Sequence, residues 1–129
     1  MTRLLARWWS KRAYIWKLEN EAGMAELSAQ LSANRAAEKR ALVEQLNKEA
    51  DAIEQNIKAE EEKPEYQALQ GQERYEADRE KREAEKIVES KRQQAAEESN
   101  AVTDCEATAQ HFRGQANNSR LVADKIRAI

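Results

Sequence analysis

The sequence contains few of the residues that interrupt helices. Of its 129 residues, one is proline and three are glycine. Because proline and glycine are the residues least favourable in a helix interior, the chain has few positions at which a helix must end. Its highly charged composition is also compatible with disorder, but the regular apolar spacing described below argues against that interpretation.

Cysteine, large aromatic residues and long apolar runs are scarce as well. Cys105 is the only cysteine in the sequence, so an intrachain disulfide is excluded and no redox compartment is indicated. One Phe, three Trp and three Tyr are too few to fill a globular core. No apolar run approaches the roughly 18 residues of a membrane-spanning helix, and the N-terminus lacks the apolar centre of a secretory signal.

The residues that are abundant favour helices. Charged residues make up 36% of the chain, and the mean hydropathy is -0.99. The hydrophobic fraction of 40% consists largely of alanine, which promotes helices but buries little area. A composition rich in Ala, Glu, Lys, Arg and Gln is typical of long helices and coiled coils.

Apolar residues recur every seven positions from Met1 to Ile57. A second, mostly apolar set follows three positions after the first. Alternating steps of three and four residues form the seam of a coiled coil, the stripe along which one helix packs on another. The first set consists of Met1, Trp8, Ile15, Ala22, Ala29, Ala36, Val43, Ala50 and Ile57, and the second includes Leu4, Leu18, Ala25, Leu46 and Ile53.

A second seam in a new frame occupies the C-terminal half. The first seam ends before Pro64, which is tolerated in the first turn of a helix but not in its interior. We therefore predict a turn at 61–64 and a second helix from near Pro64 to the end of the chain. One set of its seam positions is Val88, Ala95, Val102, Ala109, Ala116 and Ala123, and the other is Ala77, Ala84, Lys91, Glu98, Cys105, Phe112, Ser119 and Ile126.

The two seams fit each other if the chain folds back between Lys63 and Pro64. The sequence then predicts an all-α fold, a long antiparallel two-helix hairpin forming one coiled-coil domain over 1–129. In this register, residues whose numbers add to 127 lie opposite each other. Examples are Ile15 with Phe112, Trp8 with Ser119, Ala22 with Cys105, Lys39 with Val88, and Lys91 with Ala36. The alternative is an extended, kinked helical rod that pairs with other chains in an oligomeric bundle. The predicted parts are a partner-docking half-helix at 1–31, the rest of the first helix at 32–62, and the second helix at 64–129.

A second apolar stripe lies on the face of the first predicted helix that points away from the seam. A two-helix hairpin leaves that face uncovered, and exposed stripes of this kind usually mark a protein or membrane contact. Together with Trp8, the residues predicted to make this contact are Leu5, Trp9, Trp16, Met24, Leu27 and Leu31.

The first 18 residues carry basic residues and no acidic residue. Tryptophan combined with basic residues suits three kinds of partner. The first is another protein subunit, which can be a second copy of this chain. The second is an anionic membrane surface, and the third, less favoured, is nucleic acid. The stretch also resembles a mitochondrial presequence, although a chain that starts at Met1 leads us to expect that it is retained. The residues predicted to contact an anionic partner are Arg3, Arg7, Lys11, Arg12 and Lys17.

No arrangement of residues predicts catalysis, a metal or a cofactor. Cys105 and His111 are six positions apart, which places them on different faces of a helix. The sequence has no Gly-rich phosphate loop and no nucleophile with a partnered base. We therefore predict a non-enzymatic structural subunit that braces or spaces a larger complex. The alternatives are a peripheral membrane-binding module and an internal virion protein that contacts nucleic acid.

Overall fold

The computed structural model describes residues Thr2–Ile129 and places them in three helices. These are α1 (Thr2–Glu62), the short α2 (Pro64–Gln67) and α3 (Gly71–Ala128). The long helices α1 and α3 pack against each other in opposite directions, and the described residues contain no strand. The predicted all-α helical hairpin is confirmed, and the alternative of an extended rod is not. Met1, the first predicted seam position, lies outside the described residues.

The chain divides into two compact units, each formed by a piece of α1 and a piece of α3. The first contains the residues up to Ala37 and those from Thr103 onward. The second is the continuous segment Glu38–Val102, which includes α2. Both are built on the predicted seam.

The seam of the first unit is made almost entirely of alanine. Small residues allow two helix backbones to approach closely, but each methyl group removes little apolar area from water. This unit is therefore held by many small contacts rather than by a few large side chains. Its buried residues are Leu18, Ala22, Ala29 and Ala36 from α1 and Ala109, Ala116 and Ala123 from α3.

The second unit has a seam of the same kind with somewhat larger side chains. Leu46 and Ala50 of α1 are buried, as are Val88, Ala95 and Val102 of α3. The second set of α3 positions, from Ala77 to Ile126, is half-buried throughout. The sequence therefore predicted correctly which face of α3 packs on α1 along its whole length.

The connection between the long helices differs from the prediction. Helix α1 ends at Glu62, and Lys63 takes the extended conformation (φ -66°, ψ 134°) expected before a proline. Pro64 then begins α2, a single short helix, and not the second long helix as predicted. Helix α3 begins at Gly71, whose φ of +64° lies in the left-handed region that favours glycine.

Helix α2 lies beside the first turns of α3. The chain therefore reverses direction after α2, at Gly71. Tyr66 in α2 donates a hydrogen bond to Asp78, and its backbone carbonyl accepts one from Arg74 Nη1 at 3.2 Å. The fold point is thus about seven residues later than predicted. Proline at the start of a helix breaks α1 without turning the chain, whereas the positive φ of Gly71 turns it.

The later fold point shifts the register of the seam by about two heptads. Lys91, predicted to lie opposite Ala36, binds Glu49 at 2.7 Å. Lys39, predicted opposite Val88, binds Glu98 at 2.8 Å. A shift by whole heptads preserves the packed face of each helix and changes only the partners. The predicted pairing of Ile15 with Phe112 is therefore wrong, and Ala36 rather than Ala22 lies opposite Cys105.

The shift leaves the start of α1 without a partner helix. Residues Thr2 to Ser10 are exposed throughout, and Arg127, in the last turn of α3, pairs with Glu19. The predicted contact of Trp8 with Ser119 does not form, because the shifted register places Ser119 of α3 beside a part of α1 about two heptads after Trp8. We call Thr2–Ser10 the overhang.

Two glycine substitutions test the position of the turn. Gly71→Ala is expected to lower the free energy of unfolding by about 1–2 kcal/mol, because a Cβ disfavours left-handed backbone. Gly23→Ala is expected to raise it by about 1 kcal/mol, since alanine favours the helix interior and nothing lies within 4 Å of the added Cβ. Urea unfolding followed by circular dichroism measures both. A stabilising Gly71→Ala would place the reversal elsewhere.

Candidate interaction surface on α1

The overhang begins α1 with charges that do not favour a helix there. Helix α1 has no acidic residue in its first turn, although the dipole favours acidic residues at a helix N-terminus. Arg3 lies in the first turn instead, and Arg7 in the second. The overhang therefore gains no stability from the dipole and none from packing on α3.

The large apolar side chains of the overhang lie in water. Leu4 is 72% exposed, Leu5 56%, Trp8 50% and Trp9 64%. The two indole rings pack edge to face with centroids 5.4 Å apart. The guanidinium of Arg12 lies 5.2 Å from the Trp8 ring centroid, a cation–π distance. These local contacts orient the rings without covering them.

Most cations at this end of α1 have no acidic partner in the described part of the chain. Among the described residues, no carboxylate lies within ion-pair distance of Arg3, Arg7, Lys11 or Arg12. Lys17 is only loosely paired, with Nζ 4.0 Å from Glu21 Oε1. Four predicted anion-contact residues are thus available to a partner, and the role of all five stays a prediction.

The predicted apolar stripe is exposed along the side of α1 that faces away from α3. Trp16 is 67% exposed, and Met24, Leu27 and Leu31 are 60–62% exposed. We call these four residues together with Trp9 the outer stripe. The structure brings Trp8 and Leu4, predicted as seam residues, into the same exposed apolar region. The role of the outer stripe as a contact stays a prediction.

A groove of about 460 Å³ lies where the last turn of α3 meets α1. The pair Glu19–Arg127 forms part of its wall. No sequence pattern pointed to these two residues, because the predicted register left Arg127 with no residue of α1 opposite it. Only the correct register brings them to this surface. The lining residues are Trp8, Lys11, Arg12, Ile15, Trp16, Glu19 and Arg127.

The larger groove beside α2, about 670 Å³ in volume, is polar and is explained by the packing of the turn. The guanidinium of Arg74 lies 4.4 Å from the Tyr66 ring centroid, and its Nε is 3.3 Å from Asp78. The hydrogen bond from Tyr66 lowers the pKa of Asp78 below its ordinary 3.8 and raises the pKa of Tyr66 above its ordinary 10.0. This cluster fixes α2 on α3.

The Tyr66–Asp78 bond predicts a pH dependence of stability. The raised pKa of Tyr66 means that its contribution is complete below pH 10.0 and is lost as pH rises through the folded value. The lowered pKa of Asp78 means that its contribution is lost as pH falls below 3.8. Tyr66→Phe keeps the ring but removes the donor, so we expect a small fall in the thermal midpoint at pH 7.

The matched control is Tyr75→Phe, since Tyr75 is 58% exposed. Thermal unfolding of both variants at pH 7 and pH 11 measures the effect. The difference between wild type and Tyr66→Phe is expected to shrink at pH 11. A difference that is unchanged at pH 11 would contradict the assigned role of the phenol.

Cys105 and His111 lie apart on α3, as the sequence predicted. Cys105 is half-buried at the seam, whereas His111 is exposed. The His111 ring packs on Phe112 with centroids 5.8 Å apart, and its Nε2 is 3.2 Å from the side-chain nitrogen of Gln115. Within Thr2–Ile129, no three His, Cys, Asp or Glu side chains are grouped as metal ligands.

Comparison with protein families, curated proteins and solved structures finds no match to this chain. The described helices include none with both the length and the apolar character needed to cross a bilayer. Function is therefore inferred from the exposed chemistry of α1.

Proposed function

We propose that this protein is a non-enzymatic helical assembly subunit. Its hairpin braces or spaces a larger complex, and its overhang docks on another protein of that complex. The observation that carries this proposal is that α1 runs past the end of α3, which leaves Leu4, Leu5, Trp8 and Trp9 uncovered. Apolar seam residues without a partner helix remain exposed to water, and a second protein that binds there would cover them.

The composition of the exposed end supports a protein contact. Tryptophan and arginine are the residues most enriched among those that dominate interface energies. The chain exposes 10028 Å² of surface, whereas a folded monomer of 14.8 kDa is expected to expose about 7,000 Å². An excess of this size favours a chain that works within an assembly.

The physics of short helices points in the same direction. An isolated helical segment of fewer than about 12 residues is marginal in water, and most helical stability in proteins comes from packing of an apolar face. The overhang has no such packing within the described chain. A docking partner would supply it, so the overhang is expected to gain helical order on binding.

Site-specific photo-crosslinking in the native cells tests the proposal. A photoreactive phenylalanine analogue at Leu4 or Trp8 is expected to crosslink to one reproducible protein. The same analogue at Ile87, an exposed apolar residue of α3, is the control and is expected to give none. The reproducible product should disappear when Arg3 and Arg7 are also replaced by Glu. Absence of any protein crosslink from the overhang would overturn the proposal.

An anionic membrane surface is a second candidate partner, favoured by the distribution of apolar and basic side chains around α1. At 3.6 residues per turn, the leucine, isoleucine and tryptophan residues from Leu4 to Trp16 fall within an arc of about 140°, and Tyr14 lies outside it. Of the basic residues, Arg3, Arg7, Lys11 and Lys17 lie outside that arc and Arg12 lies within it. Tryptophan and leucine on one side with basic residues on the other is the pattern of helices that lie in a membrane interface.

Intrinsic fluorescence separates this second candidate from the first. All three tryptophans of the chain lie between positions 8 and 16, so their emission reports this region alone. Binding to vesicles that contain anionic lipid is expected to shift the emission to shorter wavelength, while neutral vesicles should leave it unchanged. Raising the salt concentration should weaken binding, because screening reduces the attraction of the cations. An unshifted spectrum with anionic vesicles would exclude the membrane surface.

A further inference from the structure

We propose that the outer stripe of α1 is covered by the same stripe of a second copy of this chain. The two α1 helices run antiparallel, with the two-fold axis beside Asn20. This inference rests on the proposed function in one respect, since it names the partner of the outer stripe. It leaves Leu4, Leu5 and Trp8 of the overhang for the larger assembly.

The distribution of side-chain size on α1 is the first reason. The face of the first unit that packs on α3 buries alanines and Leu18. The opposite face carries Trp16, Met24 and Leu27, each at least 60% exposed. Most of the larger apolar side chains in this part of α1 therefore lie outward. A surface of that kind is stable in water when another protein covers it.

The spacing of the outer stripe is self-complementary, which a contact between identical surfaces requires. With the axis beside Asn20, Trp9 lies opposite the partner's Leu31 and Trp16 opposite the partner's Met24. Ala13 lies opposite the partner's Leu27. Each indole ring thus meets an aliphatic or thioether side chain, and methionine sulfur makes favourable contacts with aromatic rings.

The centre of this contact has room for a close approach. Asn20 is exposed, and nothing lies within 4 Å of a Cβ built on Gly23. The same axis brings Gly23 opposite the partner's Lys17, whose methylene stem can lie over the glycine while its ammonium group stays in water.

Charge favours one direction of the pairing. Residues 1–18 carry five basic residues and no acidic one, whereas residues 22–39, which face them about this axis, carry two acidic and two basic residues. An antiparallel pair places the basic segment of one copy along a segment of the other that has no net charge. A parallel pair would place like charges together, which is unfavourable. The charges therefore favour the antiparallel arrangement.

Sedimentation equilibrium of the full chain tests the association. The wild type is expected to give twice the monomer mass of 14.8 kDa at micromolar concentration. Trp16→Glu and Met24→Glu are each expected to raise the dissociation constant at least about 100-fold, because each buries a charge at the contact. Ile87→Glu, at an exposed apolar residue of α3, should leave the dimer intact. A monomeric wild type would overturn the inference.

Cysteine crosslinking tests the direction. In a Cys105→Ser background, Asn20→Cys is expected to oxidise to a disulfide-linked dimer, because a residue beside the two-fold axis meets its own mate. Asn34→Cys is the control on the same helix, and its mate would lie about 40 Å away at 1.5 Å per residue. Crosslinking of both variants would indicate a parallel pair, and crosslinking of neither would refute the contact; both results overturn the inference.

The two proposals fail separately. Loss of the dimer with an intact crosslink from Leu4 to another protein would refute the self-association and keep the docking function. A dimer whose overhang gives no protein crosslink would do the reverse. Circular dichroism of each variant verifies that the helices are retained.

Discussion

Replacing Ala36 with cysteine is expected to produce an intramolecular disulfide with Cys105 under mild oxidation. Ala36 is 1% exposed, Cys105 is half-buried on the facing side of the seam, and the register places the two in one layer. Because the bond closes a long loop, it should stabilise the chain by about 4 kcal/mol. Electrophoresis without reductant detects the closed form, and urea unfolding with and without reductant measures the gain.

The matched control is Ala22→Cys. In the register predicted from Pro64, Ala22 lies opposite Cys105, whereas the structure places it about two heptads away, roughly 21 Å along the helix. Ala22→Cys is therefore expected to remain unbridged within the chain. Closure of Ala22→Cys in preference to Ala36→Cys would show that the hairpin turns at Pro64.

Ala109→Asp is expected to destabilise the first unit severely. Ala109 is 2% exposed in a seam of alanines, so an aspartate there would leave its carboxylate buried without a partner. Such a charge costs about 3 kcal/mol or more, a large share of the stability of a small protein. We expect a much lower urea midpoint and a loss of helical signal at moderate temperature.

The control variant Ala107→Asp separates the cost of burying a charge from the cost of placing aspartate in a helix. Ala107 is two residues earlier on α3 and is exposed, so the same substitution there keeps the propensity cost and avoids the buried charge. Its expected effect is about 0.5 kcal/mol. Equal effects of the two substitutions would mean that the assigned face of α3 does not pack on α1.

The faces of both helices could be predicted because burial follows the heptad period. Ala22 and Ala29 in α1, and Ala116 and Ala123 in α3, are buried as their spacing indicated. The outer stripe was predictable for the same reason, since its residues lie on the face of α1 opposite the seam.

The register could not be predicted in the same way. A shift by a whole heptad brings equivalent positions together again, so the seams alone allow several fold points. Two residues of the connection decide among them. Pro64 is accommodated as the first residue of α2, and Gly71 takes the positive φ that reverses the chain. A sequence pattern shows that both residues interrupt helices, but it does not show which one turns the chain.

The error in register concealed the main feature of the candidate site. With the predicted partners, Leu4 and Trp8 belonged to the seam, although Trp8 was also predicted, with Leu5 and the outer stripe, to contact a partner. With the observed partners, both residues join the exposed surface at 72% and 50% exposure. The location of the surface was therefore predictable from composition, but its extent depended on the turn.

The alanine seam has a mechanical consequence. Methyl groups that repeat every seven residues offer almost the same contact after one helix slides past the other by a repeat, so they do little to prevent sliding. Away from the connection that sets the register, axial alignment is reinforced by the flanking charges, such as Glu26 with Arg120 and Glu54 with Arg92. Concentrated salt, which weakens exposed ion pairs, would therefore loosen the lengthwise alignment of the two rods before it separates them.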